Sequence, residues 1–162
     1  MLSRYSTGLV RRMAGIRNTQ AIATAAAPTL TFNEIGRHQS GLVRTRVASS
    51  LSPWLSRCEV GDIHTVAISH GEGRFVAVNG VLERLKLKGQ IATQYVDLDG
   101  DPTMDLRFNP NGSALAIEGI TSPDGRVLGK MGHTERAGHD LYKNVEGDRF
   151  QPIFEGGVAY FR

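Results

Sequence analysis

The sequence predicts a mixed α/β domain, built as a sheet of five or six short strands with few helices. Three observations carry that reading. A chain of 162 residues is about one domain's worth. From Pro28 onward, short apolar runs alternate with turn signals rich in Gly, Pro, Asn and Asp. Helical spacing is confined to a short stretch after Pro53 and to the run that begins at Asn79.

Taken in order, Leu42–Val47 alternates with the period of two of a half-buried strand. Ser52-Pro53-Trp54-Leu55 reads as a cap followed by proline at the first helical position, opening a short helix. Ile63–Ile68 is a strand that ends in the polar turn His70-Gly71-Glu72-Gly73. Asn79 is expected to cap a helix in which Val81, Leu82 and Leu85 share a face, with Lys86 and Lys88 near its negative end and Gly89 closing it. Ile91–Val96 is the next strand, and Asp99-Gly100 sits in a tight turn ahead of Thr103–Phe108. Asn109-Pro110-Asn111-Gly112-Ser113 can continue neither a helix nor a ladder and is a loop. Ala114–Ile120 and Arg126–Met131 are strands on either side of the turn Ser122–Gly125.

Composition excludes several classes. No apolar run approaches the roughly 18 residues of a membrane-spanning helix. The lone cysteine, Cys58, allows neither an internal disulfide nor a structural zinc site needing two or more cysteines, and it suits a reducing, cytoplasmic setting. The net charge of +3 is a property of the N-terminus: Arg4, Arg11, Arg12 and Arg17 stand among residues 1–27 with no acid, leaving 15 Lys/Arg against 16 Asp/Glu in the remainder. The body therefore has no basic face for nucleic acid. Residues 1–28 read as a basic extension, disordered or non-homologous, whose composition would also suit an organelle presequence. The domain itself is expected over residues 29–162.

Two loops hold unusual chemistry. In Gly132-His133-Thr134-Glu135-Arg136, His and Glu are two apart after a strand-like run. An extended chain would put both on one side, where the Glu135 carboxylate could take the Nδ1 proton of His133 and leave Nε2 as a base. Taken alone, the spacing more often marks an ordinary surface pair. The second loop is His70-Gly71-Glu72-Gly73-Arg74.

From Thr29 to Phe161 the sequence resembles the C-terminal glutaminase domain of phosphoribosylformylglycinamidine synthases. The resemblance rests on Thr31-Phe32-Asn33, Gly36-Arg37-His38-Gln39-Ser40, Ser52-Pro53-Trp54-Leu55, His70–Phe75, Gln94-Tyr95, Asn109–Ser113, Ile117–Ile120, Ser122–Val127 and Met131–Arg136, in that order. It implies a flavodoxin-like class I glutamine amidotransferase with a Cys-His-Glu triad, in which a thiolate attacks the glutamine amide and ammonia passes to a synthetase for purine biosynthesis. It further implies that His133 is the base, that Glu135 orients it, and that His70, Gly71, Glu72, Asn109, Asn111 and Ser113 lie in loops around the glutamine. ATP and Mg would belong to the synthetase domains, with no cofactor in this chain. The expected partners are glutamine, the synthetase and an N-terminal glutaminase segment.

The sequence departs from the family at the nucleophile, expected upstream in a Gly-x-Cys-Asn-Gly elbow. Gly15-Ile16-Arg17-Asn18-Thr19-Gln20 has Arg in the place of the thiol. Cys58, toward the end of the short helix begun by Pro53, reads as a structural or surface cysteine. The expectation is thus a glutaminase domain truncated before its nucleophile and inactive alone, or else a noncatalytic interaction module of the same descent.

Overall fold

The computed structural model describes residues 27–138 and 141–162. Residues 1–26 of the basic extension, with the Gly15–Gln20 stretch, lie outside the described residues. The order is β1 (Thr29–Thr31), β2 (Gln39–Val47), β3 (Ile63–His70), β4 (Arg74–Val76), α1 (Asn79–Leu87), β5 (Ile91–Tyr95), β6 (Ile117–Thr121), β7 (Leu128–Lys130) and α2 (Ile153–Phe161). Five strands form one sheet in the order β3-β2-β5-β6-β7, and β1 pairs with β4 in a separate two-stranded ribbon. All of these ladders are antiparallel. The mixed α/β class with few helices is the one expected.

Alternation in β2 buries Val43, Thr45 and Val47 and turns Arg44 and Arg46 outward, which fixes the β2–β3 register from Gln39↔His70 to Arg46↔Ile63. Helix α1 buries Val81, Leu82 and Leu85 against Phe75, Ile91, Ile117 and Ile120, a triplet the 3.6-residue spacing anticipated. Its cap differs: Val78 is the N-cap, without a side-chain bond, and Asn79 is already helical. Gly89 follows at φ +63°, a conformation that glycine adopts without Cβ strain.

Other elements depart from expectation for local reasons. Pro53–Leu55 forms a single 3-10 turn that ends well before Cys58. Ser52 caps nothing; its hydroxyl donates to the Gly125 carbonyl at 2.8 Å and ties this turn to the Ser122–Gly125 turn. Thr103–Phe108, which the sequence reading left without an element, holds no regular strand: Asp105 clamps Arg107 and folds the chain into turns leading to Asn109. Ala114–Ala116 is a 3-10 turn rather than strand, with Leu115 and Ala116 both in the left-handed region at φ 52° and 55°. Helix α2 has no counterpart in the sequence reading. It packs on the Pro53–Leu55 turn through Gly156 and Gly157, where a Cβ would run into the Trp54 carbonyl and indole. Among the described residues no helix is long and apolar enough to cross a membrane.

Candidate active site

β3 forms an edge of the main sheet, and the two chemically unusual loops hang from it. The His133 N–H donates to the Ala67 carbonyl at 2.7 Å, which stitches the Gly132–Arg136 loop to the middle of the strand. His70 is the last residue of the same strand.

His133 Nδ1 lies 2.6 Å from Glu135 Oε1. The contact is the expected one, but not by the expected route. His133 is the cap of a 3-10 turn, Thr134–Arg136, and the turn carries Glu135 back to the imidazole, so an extended chain is not what pairs them. Because a carboxylate only accepts, the contact puts a proton on Nδ1, and in the neutral imidazole the lone pair is then on Nε2. Partial burial pushes the Glu135 carboxyl up, but the hydrogen bond from His133, with its backbone bonds and the nearby Arg136, outweighs this and holds it below the usual range.

Beneath the pair is a buried network that the sequence did not disclose. Glu118, with 3% of its surface exposed, accepts the Gly132 N–H through Oε1 at 2.5 Å and the Thr93 hydroxyl through Oε2. Lys130 Nζ lies 3.7 Å from the same carboxylate and donates to Thr134 Oγ1 at 3.0 Å and Gln151 Oε1 at 2.8 Å. The residues immediately before and after His133 are therefore both fixed by one buried ion pair. The available signal was a glutamate inside the apolar run Ile117–Ile120, which has to be paired if that strand is buried on both sides.

The other predicted residues form a second cluster. Asn109, Asn111 and Ser113 are fully buried. Asn111 Nδ2 donates to the Gly73 carbonyl at 2.7 Å and to the Tyr95 hydroxyl at 2.9 Å. Ser113 Oγ donates to the same Gly73 carbonyl and accepts the Phe75 N–H at 3.0 Å, while Asn109 closes the loop onto Ser113. These polar groups hold the loop against the His70–Gly73 turn. Asn33, the further residue that sequence reasoning left without a role, completes the join. Its Oδ1 accepts from Gly73 N–H and His70 Nδ1, and its Nδ2 donates to the carbonyls of His70 and Arg37. Its backbone N–H donates to the Gly71 carbonyl. Glu72 is exposed at the tip. Asn33 fixes the proton of His70 on Nδ1, and His70 Nε2 is buried with no protein partner. Burial holds this imidazole below its ordinary range, and the charges of His38 and His133 act in the same direction.

Cys58 is not part of either cluster. It packs with Val47, Leu55, Ala92 and Ile153, and burial, with Asp62 and Asp148, pushes its thiol up to about 11. The helix end invoked from sequence is not the cause, since no helix reaches Cys58.

Comparison with known protein families matches residues 7–161 to the CobB/CobQ-like glutamine amidotransferase domain. The chain belongs to this family. Among individual relatives, the glutamine amidotransferase domain is 42% identical over 95 residues to the phosphoribosylformylglycinamidine synthase subunit PurQ of Thermomicrobium roseum, covering 59% of this chain and 39% of that one. It is 34% identical over 149 residues to the PurQ subunit of Methanosarcina mazei, covering 90% of this chain and 62% of that one. In three dimensions it superimposes on the PurLQS structure from Thermotoga maritima with a TM-score of 0.62 and 25% identity, covering 83% of this chain and 53% of that one. The chain thus spans from 39% to 62% of the length of these proteins.

Proposed function

We propose that this chain contributes the acid–base half of a PurQ-type glutaminase, which releases ammonia from glutamine in the cytoplasm for an ATP-dependent synthetase making formylglycinamidine ribonucleotide. The observation that carries the reading is the 2.6 Å His133–Glu135 pair, anchored to β3 and braced by the Glu118–Lys130 network. In this reading a thiol attacks the glutamine side-chain carbonyl. His133 Nε2 takes the thiol proton and returns it to the departing ammonia, and Glu135 holds the imidazole in the required tautomer. The His70–Gly73 turn, with Asn33 and the Asn109–Ser113 loop behind it, shapes the wall against which glutamine lies.

The thiol has to be supplied to this sequence. Cys58, its only cysteine, sits in an apolar cluster and holds its proton far above neutral pH. We place ATP and Mg with the synthetase partner, because the sequence contains no Gly-x-x-x-x-Gly-Lys-Ser/Thr phosphate loop. A noncatalytic module of the same descent is the second reading, favoured by that missing thiol.

The test is complementation. The chain is co-expressed with a segment bearing the Gly-x-Cys-Asn-Gly elbow and assayed for glutamate release from glutamine. Release that needs both partners and is lost with His133→Ala supports the glutaminase. No release from a stable complex supports the noncatalytic module, and release by the chain alone overturns the requirement for an outside thiol.

A further inference from the structure

The unexplained chemistry of this chain lies at the other end of β3. Cys58, Asp62 and His64 each offer one ligand atom, and the three atoms all lie within 4.8 Å of one another. His64 is only 3% exposed, yet its Nδ1 has no partner, while its Nε2 faces Asp148 Oδ2 at 3.8 Å. Packing accounts for a buried cysteine among Val47, Leu55 and Ala92. It does not account for an orphaned nitrogen on an imidazole that is grouped with a thiol and a carboxylate, because a buried polar atom without a partner costs stability.

We propose that Cys58, Asp62 and His64 bind a thiophilic divalent cation of the zinc class. His64 Nδ1, Cys58 Sγ and Asp62 Oδ1 are the ligand atoms, and solvent fills the fourth position on the open side left by exposed Asp62. Asp62 Oδ2 already accepts the Glu59 N–H at 2.7 Å, which holds the 59–62 turn in the shape the site requires. Zinc bonds of about 2.0–2.3 Å imply ligand separations of roughly 3.3–3.8 Å, so atoms that lie within 4.8 Å of one another need close by no more than about 1.5 Å, within reach of side-chain rotation in a turn. Metal at Nδ1 leaves the Nε2 proton for Asp148, the carboxylate–histidine–metal arrangement that orients such ligands. The carboxylates of Asp62 and Asp148 make the site attractive to a cation, and binding expels the thiol proton to solvent. Asp148 is also bonded into the strand, since its carbonyl accepts the Thr65 N–H at 2.6 Å. The cation therefore pins the 146–149 segment to the start of β3. This site is independent of the glutaminase reading and uses none of its residues.

The experiment titrates the purified full chain with cobalt(II) alone, followed by zinc(II). One cobalt per chain is expected, with a thiolate-to-cobalt charge-transfer band that zinc bleaches. Only Cys58 can give that band, because the sequence has no other thiol. Cys58→Ser should abolish it, and Asp62→Asn and Asp148→Asn should weaken affinity by about tenfold or more. Circular dichroism melts without metal verify that the variants fold. As a readout free of variants, zinc should slow alkylation of Cys58 by iodoacetamide in the unaltered chain. No thiolate band at stoichiometric cobalt, no protection by zinc, or affinity indifferent to Asp62→Asn would overturn the site.

Discussion

Glu118 and Lys130 lie 3.7 Å apart with almost no exposure, and between them they fasten both flanks of His133. Removing one member of a buried pair strands the other charge, so Glu118→Ala and Lys130→Ala should each cost about 3–5 kcal/mol. Replacing both with apolar residues of similar size, as in Glu118→Leu with Lys130→Met, should cost much less than the sum of the single changes. Urea denaturation of the three variants measures this coupling, and additive losses would show that the pair acts as two unrelated contacts.

Catalysis should separate the two members of the exposed pair. In the complemented glutaminase, His133→Ala should lower kcat by about 10²–10⁴, since it removes the proton transfer itself. Glu135→Gln should cost less, because the imidazole remains and only its orientation suffers. Cys58→Ser should leave the rate unchanged. Steady-state glutamate release checks all three, and equal losses for Glu135→Gln and His133→Ala would mean that Glu135 does more than orient.

Acid should destabilise the fold through two imidazoles. Burial lowers His64 and His70 from 6.5, so in the pH interval below that value the unfolded chain binds more protons than the folded one. Stability is then fully present above 6.5 and falls as pH drops through the depressed folded values. His70→Gln should flatten part of this slope. Melting temperatures recorded across the interval test it, and a profile that stays level to about pH 5 would contradict it.

Trp54 reports on the docking of α2. Its Nε1 donates to the Arg126 carbonyl at 2.9 Å, its ring lies 5.7 Å from Phe161, and Gly157 leaves no space between helix and indole. Gly157→Ala should destabilise the chain by about 1–3 kcal/mol through overpacking and should shift the emission of Trp54, the only tryptophan. Unchanged emission and stability would show that the helix is not held there.

The contrast between β2 and α2 explains how far the sequence could be read. β2 is long enough for burial on one face to leave a period of two, and β3 shows itself as a run buried without a break from His64 to Ile68, whereas β1 and β4, at three residues each, are too short to show any pattern. Helix α2 carries Gly156-Gly157, which in isolation argues against a helix. Only its close approach to Trp54, a hundred residues earlier in the chain, gives those glycines a purpose. The His133–Glu135 pair was legible because both partners are local, although a turn and not a strand joins them. Asn33 and Glu118 were in view as letters without roles, since, the Arg37 carbonyl apart, the partners described above lie 12 to 40 positions away. Burial alone reveals that such residues must be satisfied.

The free edge of β3 has one more consequence. An edge strand presents unpaired N–H and C=O groups that can recruit a second molecule. Here the Ala67 carbonyl is occupied by His133 and the Thr65 N–H by Asp148. The loop that carries the imidazole is thus also a guard against strand-to-strand aggregation, and any change that loosens it risks solubility along with chemistry.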